Sequence, residues 1–472
     1  MNILYAVSEA APFVKTGGLG DVAGSLPKAL CDAGHDARVI LPLYSSIDSS
    51  WREKMTFCFY TYVHLSWRKQ YCGVYLLEHE GVSYYFLDNE YYFNRPKVYG
   101  EADDGERFGF FSRAVIEVLP LLSWKPQVIN CNDWQTALIP IYLRYEPAEF
   151  YADIKSVFTI HNIEYQGRFI EWCLGDVFGL PQELYTSGII RFESDVNLMK
   201  GAIYKADYVT TVSPNYSKEL RDAYFACGLQ DVIADNAYKF SGIVNGLDTK
   251  RFSPEHDKFL PAPFSAENVS GKTECKRALC RELGLDENDE GPIIACISRL
   301  VSHKGFDIVS TALDGIVSKG VRLVILGTGD DGFENRFREA ENYHKGRVSA
   351  NIMYSDQRAS LLYAGADMLL MPSKSEPCGL SQLIAMRYGT LPVVHAVGGL
   401  RDTVRPYPRE DSNGFSFDEY SAAALLGTVD YAAGVYYNRP EWQKLMQRAM
   451  TEELGWERSA QEYIKVYESI IS

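Results

Sequence analysis

Short apolar runs alternate with amphipathic stretches along the chain, most clearly in its C-terminal third. Residues 366–371 form an apolar run that predicts a buried strand. From Leu380 onward, apolar side chains recur at helical spacing, and Gly389 closes the predicted helix. Residues 391–394 predict the next strand, and the Gly pair at 398–399 predicts a loop after it. Strand, loop, helix and strand in this order predict a parallel sheet covered by helices.

The same alternation continues through the rest of the chain. Further apolar runs predict strands at residues 2–7, 37–41, 128–130, 157–160, 208–212, 293–297, 321–326 and 352–354. Helices are predicted at 25–33 and 272–285. Aromatic and polar residues alternate over 56–88, which predicts antiparallel strands added to the N-terminal sheet. The Pro-rich and charged segment 253–290 predicts a hinge, so we expect an α/β protein of two domains.

Composition removes several classes of function. The net charge of −15 over 472 residues argues against nucleic-acid binding, which needs clustered Lys and Arg, but it leaves room for a nucleotide substrate. The ten Cys are scattered without zinc or redox spacing, so we expect free thiols in a reducing cytoplasm. There is no apolar run near the roughly 20 residues that cross a membrane, and no signal-peptide pattern. We therefore expect a cytoplasmic protein with no membrane segment.

A Gly-rich segment follows the first predicted strand. Its glycines suggest a dinucleotide fingerprint, but the last spacing is one residue too long and no acidic residue ends the second strand. Small Gly17 and Gly18 would instead let a phosphate or sugar approach the backbone, with Lys15 supplying charge. The alternative for Lys15 is a solvated loop lysine.

Charged residues also follow two other predicted strands, at whose carboxyl ends ligands bind in open parallel sheets. Glu376 precedes a helix whose first amides, at Gly379 and Leu380, would attract an anion; the alternative is that Glu376 only caps that helix. Arg299 and Lys304 lie five residues apart in one loop, which suits a diphosphate, against the alternative of a surface ion pair.

Two further strand ends carry candidate residues. His161 directly follows the run 157–160, a better functional position than most, although a lone His is more often structural. Asp133 follows the run 128–130 and could be a helix N-cap.

Several ordered motifs together resemble one family. They are Lys15-Thr-Gly-Gly-Leu19, Thr159-Ile-His-Asn162, Ser298-Arg-Leu300 followed by Lys304-Gly305, Glu376-Pro-Cys-Gly-Leu380, Arg387-Tyr-Gly-Thr390 and Gly398-Gly-Leu400. The order and spacing resemble the bacterial glycogen synthases and plant starch synthases over essentially the whole chain. That resemblance implies two Rossmann-like domains facing across a cleft, the GT-B architecture. We expect an N-terminal domain at 1–250, a C-terminal domain at 251–455 and a closing helix at 456–472 that packs back on the first domain.

The resemblance also implies a reaction: transfer of glucose from ADP-glucose to the non-reducing 4-hydroxyl of an α-1,4-glucan such as glycogen, with retention. It implies no cofactor and no metal for the chemistry. The catalytic residues it implies are Glu376, His161, Lys304 and Arg299. The donor-binding residues are Lys15, Gly17, Gly18, Asn245, Tyr354, Cys378, Gly379 and Leu380. The residues of the acceptor side are Asp21, Asp133, Trp134 and Asn162.

Four positions depart from the family pattern, in which Ser-Arg-Phe-Glu-Pro and Arg-x-Thr-Gly-Gly are typical. They are Lys374, Ser375, His395 and Val397. Because these positions flank the expected donor site, two alternatives stay open: a related enzyme that uses UDP-glucose or another acceptor, and a weakly catalytic paralogue that binds glucan. Sequence does not give the oligomeric state.

Overall fold

In the computed structural model, which describes residues 1–147 and 149–471, the chain divides into two units. One unit is Met1–Gly246 with the segment from Trp456 onward, and the other is Leu247–Gly455. Each unit is built on a largely parallel sheet with helices around it. No helix among the described residues is long and apolar enough to cross a membrane.

The first unit contains a mixed sheet whose described strands run in the order β12-β11-β7-β6-β1-β2-β5-β4-β3. Its strands, with those of a small separate sheet (β8 to β10), are β1 Asn2–Ala6, β2 Asp36–Pro42, β3 Thr56–Leu65, β4 Arg68–His79, β5 Val82–Asp88, β6 Val128–Asn132, β7 Lys155–Ile160, β8 Arg168–Ile170, β9 Arg191–Phe192, β10 Asp195–Asn197, β11 Tyr208–Thr211 and β12 Phe240–Gly242. β1 pairs in parallel with β2 and β6, and its residues from Ile3 to Ala6 are fully buried. A strand covered on both faces needs such an apolar run.

The antiparallel strands predicted for residues 56–88 are confirmed in part. β3 pairs antiparallel with β4, and β4 with β5. β5, however, runs parallel to β2 and so continues the parallel sheet.

Ten α-helices of the first unit precede residue 247 among the described residues, and α1 and α4 are the longest of these. They are α1 Gly18–Asp32, α2 Ser49–Arg52, α3 Glu90–Phe93, α4 Asp104–Val118, α5 Leu138–Leu143, α6 Cys173–Asp176, α7 Glu183–Thr186, α8 Leu198–Lys205, α9 Pro214–Glu219 and α10 Gln230–Asp235. The prediction that the first helix starts at Ser25 was wrong, because α1 already begins at Gly18. Gly24 lies inside it, where an added Cβ would be 2.6 Å from the Ala11 carbonyl oxygen. That glycine therefore serves close packing.

The second unit contains a parallel sheet whose described strands run in the order β15-β14-β13-β16-β17-β18. Its strands are β13 Ile293–Ile297, β14 Arg322–Leu326, β15 Val348–Asn351, β16 Met368–Met371, β17 Leu391–His395 and β18 Phe415–Phe417. Numbered within the unit, this order is 3-2-1-4-5-6, that of a dinucleotide-binding sheet. The strand predicted at 352–354 was wrong: β15 ends at Asn351, and Tyr354 lies in the following loop.

Helices lie between the strands of the second unit. They are α11 Ser270–Leu283, α12 Phe306–Ser318, α13 Asp331–Tyr343, α14 Asp356–Gly365, α15 Ser381–Arg387, α16 Gly398–Thr403, α17 Ala422–Tyr437 and α18 Arg439–Met450. The prediction of a loop at the Gly pair 398–399 was wrong, because these two glycines begin α16.

The last helix, α19 Trp456–Ile471, belongs to the first unit. Its buried side includes Tyr463 and Tyr467, and the Tyr467 hydroxyl donates to Asn130 Oδ1 at 3.0 Å. Ser459 Oγ donates to the Val244 carbonyl at 2.6 Å. These contacts fix the end of the chain beside the strands of the first sheet.

Candidate active site

In the first unit, the predicted residues collect where the strand order reverses. β1 lies between β2 and β6, and β7 follows β6. Lys15, Gly17 and Gly18 follow β1, Asp133 follows β6, and His161 follows β7. Because the carboxyl ends of parallel strands meet at one edge, this reversal is where an open α/β sheet binds a ligand.

Glu9 holds the start of α1 and was missed by the sequence analysis. It is 2% exposed, and its Oε2 accepts from the Thr16 amide at 2.5 Å and the Thr16 hydroxyl at 2.6 Å. Its Oε1 accepts from the Gly20 amide at 3.2 Å. Burial raises the pKa of Glu9, and the bonds from Thr16, Gly20 and Gly17 partly oppose that rise. A carboxylate of the chain thus accepts from the amides of Thr16 and Gly20 at the start of α1.

Lys15 lies at the surface of the same turn. Its Nζ pairs with Asp21 Oδ2 at 2.7 Å, and about a third of its side chain is exposed. Gly17 and Gly18 are exposed beside it, and Gly17 precedes α1 in an extended conformation. An exposed ammonium next to two glycines leaves room for a ligand to reach both side chain and backbone.

His161 is held neutral in a single orientation. Its Nε2 lies 2.9 Å from Asn132 Oδ1, and the Asn132 amide nitrogen donates to the Ala6 carbonyl at 3.0 Å. That arrangement assigns the proton to Nε2, which leaves Nδ1 as an acceptor. Burial lowers the pKa of His161 to about 3. A neutral imidazole with a free acceptor suits a sugar hydroxyl.

Asp133 supports the loop after β7: it precedes the short 3-10 helix Trp134–Thr136, but its side chain makes no capping hydrogen bond there. Its Oδ1 accepts from the backbone amide of His161 at 2.8 Å and from that of Asn162 at 3.5 Å. Its φ of 54° is in the left-handed region, which is uncommon for a residue with a Cβ. Burial raises the pKa of Asp133 to about 7, against the lowering effect of those two amides.

Three more residues predicted in the first unit are Trp134, Asn162 and Asn245. Trp134 packs edge-on against Phe108, with ring centroids 5.3 Å apart. Asn162 Oδ1 accepts from the Glu164 amide at 3.0 Å. Asn245 is buried, and its Oδ1 has no hydrogen-bond partner among the described residues, so it can receive a ligand hydroxyl.

In the second unit, the structure brings Lys304 and Glu376 into direct contact. They follow β13 and β16, the adjacent strands at which the order of this sheet reverses. Lys304 Nζ lies 2.7 Å from Glu376 Oε2, which also accepts from Ser373 Oγ at 2.8 Å. Glu376 is 8% exposed. Glu376 does not cap the following helix, because the hydrogen bonds that it accepts come from side chains and not from helix amides. Lys304 does not belong to a surface ion pair with Arg299, because its side chain is largely buried and pairs with Glu376.

Arg299 completes the charges of this strand end. Its side chain is exposed and has no hydrogen bond or ion pair to any residue that the structure describes. An ammonium has three donors, and Glu376 takes one from Lys304, so two cations are available to an anion here.

The segment after Glu376 is closely packed. Gly379 has a φ of 76°, and a Cβ there would be 2.4 Å from Gln382 Oε1. The Gln382 amide donates to the carbonyls of Cys378 and Gly379, both at 3.0 Å. Leu380 precedes α15 without a side-chain cap, so the first amides of that helix are not taken by a capping side chain.

Tyr354 is 83% exposed and its hydroxyl donates to Asp356 Oδ1 at 2.9 Å. The structure therefore presents its ring at the surface, not in a packed pocket. Within residues 1–147 and 149–471, no group of three or more His, Cys, Asp or Glu side chains could hold a metal ion.

Comparison with known protein families gives two matches, one within each unit of the chain. The family described as "Starch synthase catalytic domain" matches residues 2–235, and that described as "Glycosyl transferases group 1" matches residues 284–433. A glycogen synthase of Clostridium botulinum is 44% identical over 100% of this chain and 99% of its own length. A glycogen synthase of Geobacillus stearothermophilus is 45% identical over 100% of this chain and 98% of its own length.

Solved structures give the same family and fold. The catalytic domain of starch synthase IV from Arabidopsis thaliana, bound to ADP and acarbose, has a TM-score of 0.92 at 32% identity, covering 100% of this chain and 99% of that one. Sucrose-phosphate synthase from Thermosynechococcus elongatus, 18% identical with a TM-score of 0.63 over 99% of this chain and 98% of its own, shows likeness of fold alone. The predicted fold class, α/β with two Rossmann-like domains of the GT-B type, is confirmed. The chain belongs to the glycogen synthase and starch synthase family of glucosyltransferases.

Proposed function

We propose that this chain transfers glucose from ADP-glucose to the non-reducing 4-hydroxyl of an α-1,4-glucan, with retention of configuration. The observation that carries the proposal is the contact of Lys304 with Glu376 at the strand-order reversal of the second sheet, with exposed Arg299 in the same loop as Lys304. The relatives supply the substrate class, since they are glycogen synthases and the starch synthase structure holds ADP and acarbose.

Arg299 and Lys304 act on the leaving diphosphate. Negative charge grows on the distal phosphate as the glycosidic bond breaks, and fixed cations stabilise it without reorganisation. The amides of Gly379 and Leu380 add donors from the neighbouring loop. Lys15 would contribute a further ammonium, with the exposed Gly17 and Gly18 backbone beside it.

Glu376 and His161 hold the transferred glucose. Both side-chain contacts of Glu376 fall on Oε2, so Oε1 can accept from a sugar hydroxyl. His161 offers Nδ1 to another hydroxyl, and the unpaired Oδ1 of Asn245 can take a third. Tyr354 and Cys378 complete the donor side. Asp21, Asp133, Trp134 and Asn162 line the acceptor side, where Asp133 acts by shaping the loop of His161.

The reaction in this proposal uses no cofactor and no metal, because side-chain cations supply the positive charge at the diphosphate. A turnover rate that is unchanged after chelation with EDTA would support this, and a loss restored by Mg²⁺ would contradict it. The cytoplasmic location stays a prediction.

The test is nucleotide release with glycogen present, measured in parallel from ADP-glucose and UDP-glucose. We expect glycogen-dependent ADP release that collapses in Glu376→Ala and persists in Glu339→Ala, an exposed glutamate of α13. Release only from UDP-glucose would overturn the donor assignment. Glycogen binding without release from either donor would favour a non-catalytic paralogue.

A further inference from the structure

We propose that Lys374 is a positioning residue that ties the loop carrying Glu376 to the loop carrying Lys304, and so sets the geometry of that pair. The proposal deepens the proposed function and rests on it. Lys374 is one of the four positions that depart from the family pattern, where arginine is typical. Its side chain is 29% exposed.

Lys374 reaches across from its own loop to the neighbouring one by both backbone and side chain. Its amide donates to the His303 carbonyl at 2.8 Å. Its Nζ donates to Ser302 Oγ at 2.9 Å and pairs with Asp307 Oδ2 at 2.9 Å. Ser302 and His303 directly precede Lys304, so these contacts fix the turn from which Lys304 projects.

Asp307 is itself held from a second side. Its Oδ1 accepts from the Tyr420 hydroxyl, while the Lys374 ammonium lies 5.2 Å from the centre of the Tyr420 ring. Lys374 therefore sits among a carboxylate, a hydroxyl and an aromatic face, each of which favours a cation. The result is a network with one geometry, not a freely moving surface lysine.

His395 secures the residue before Lys374. Its Nδ1 lies 2.7 Å from the Ser373 carbonyl, and its ring is stacked on Phe417 with centroids 5.4 Å apart. Ser373 in turn donates its hydroxyl to Glu376 Oε2. Two of the residues that depart from the family pattern thus stabilise the loop that carries Glu376: His395 contacts Ser373, and Lys374 contacts Ser302 and Asp307.

Backbone contacts anchor this loop at both ends of the segment 373–375. A Cβ at Gly305 would be 2.0 Å from the Pro372 carbonyl oxygen, and one at Gly398 would be 1.9 Å from that of Glu376. The Glu376 carbonyl also accepts from the Gly399 amide at 3.0 Å. Between these close approaches, the segment 373–375 is held by the backbone bond from Lys374 to His303, by the contact of His395 with the Ser373 carbonyl and by the side-chain contacts of Lys374.

The first test compares Lys374→Met with Lys319→Met. Lys319 makes the same type of contact, to Asp430 at 2.8 Å, in the same unit but on the surface. We expect Lys374→Met to lower kcat about tenfold, with KM for ADP-glucose within about twofold and a melting temperature close to that of Lys319→Met. The effect falls on kcat because misplacement of Glu376 and Lys304 matters most in the transition state.

The second test asks whether the effect passes through Asp307. If it does, the double variant Lys374→Met, Asp307→Asn should have about the same kcat as Lys374→Met alone, because both substitutions remove the same contact. Lys374→Arg should keep kcat within about threefold of the original value, since a guanidinium keeps the positive charge and has a side chain long enough to contact Ser302 and Asp307. Multiplied losses in the double variant would overturn the proposal, and so would an unchanged kcat in Lys374→Met. A raised KM with unchanged kcat would show a direct donor contact instead.

A measurement without turnover separates this proposal from the proposed function. Hydrogen exchange should speed up in both loops, at residues 298–305 and 372–380, in Lys374→Met but not in Lys319→Met. Unchanged exchange in the 298–305 loop would overturn the proposal whatever the activity. Activity of the original chain and of Lys319→Met, in contrast, tests the proposed function alone.

Discussion

The two strand-end sites handle ionisable groups in opposite ways. Among the buried groups of the first unit, burial disfavours the charged form: it lowers the pKa of His161 to about 3, raises that of Asp133 to about 7 and raises that of Glu9, while the ion pair of Lys15 with Asp21 lies in a partly exposed turn. In the second unit, the opposite charges of Lys304 and Glu376 are in contact, and Arg299 is exposed in the loop that carries Lys304.

This difference fits a division of work between a sugar and a diphosphate. Neutral donors and acceptors in fixed orientations recognise hydroxyl groups, and they attract ions weakly. Exposed or singly paired cations recognise phosphate. Within the proposed function, the first unit therefore contributes mostly orientation of glucose, and the second contributes stabilisation of the leaving group.

The largest effect should come from removing a charge in the second unit. We expect Lys304→Met to lower kcat on the order of 10²- to 10³-fold, because a cation at the leaving phosphate is lost and the buried Glu376 carboxylate loses its ionic partner. The measurement is kcat for ADP release, with Lys319→Met as the control that should stay within about twofold. A loss of less than about tenfold would contradict the assignment of the leaving-group role to this site.

A smaller effect should come from substitution of Glu9, whose buried carboxylate holds the turn before α1. Glu9→Gln replaces one acceptor oxygen by an NH₂ group that faces backbone or hydroxyl donors, so the turn from Lys15 to Gly20 should loosen. We expect KM for ADP-glucose to rise about tenfold, as for the loss of one good charge-assisted bond, with kcat changed less than about threefold.

The control for this variant is Glu117→Gln, in a partly buried glutamate of α4 that bonds Arg113. It should leave both constants unchanged. If Glu9→Gln lowers kcat alone, the turn acts on the transition state and the division between the two units is weaker than proposed.

The sequence predicted the second site better than the first for a physical reason. Lys304, Arg299 and Glu376 follow apolar runs that became β13 and β16, and pairing of these parallel strands was enough to bring Lys304 and Glu376 together. Glu9 also follows an apolar run and precedes the Gly-rich segment, so a signal was present. Its role, however, depends on a turn of the chain that brings the amides of Thr16 and Gly20 to its carboxylate, and no local pattern encodes that contact.

The errors in secondary structure have similar causes. A helix start after Gly24 would keep glycine out of the helix interior, but the contacts of Glu9 and the close packing at Gly24 outweigh that preference. The strand predicted at 352–354 rested on the apolar character of that run, yet Met353 and Tyr354 are exposed and pairing with β14 falls on Val348–Asn351. Tertiary contacts decided both cases.

The smallest effect concerns pH and compares two groups within the first unit. Between about pH 4 and 6.5, His161 is neutral when folded and protonated when unfolded, so its contribution to stability is lost as pH falls. Asp133 is protonated when folded and ionised when unfolded over the same window, so its contribution is lost as pH rises. Each slope is about 1 kcal/mol per pH unit, and the two should cancel in the original chain.

Single substitutions should expose the two slopes with opposite signs. Relative to the original chain, Asp133→Asn should lose stability as pH falls from 6.5 to 4.5, because only the titration of His161 then contributes to the pH dependence. The Oδ1 of the introduced asparagine can still accept from the His161 amide. His161→Asn should gain relative stability over the same fall in pH, because only the Asp133 term remains. Urea unfolding midpoints at pH 4.5, 5.5 and 6.5 measure both. Slopes of the same sign in the two variants would mean that burial does not shift the pKa values of these two groups in opposite directions.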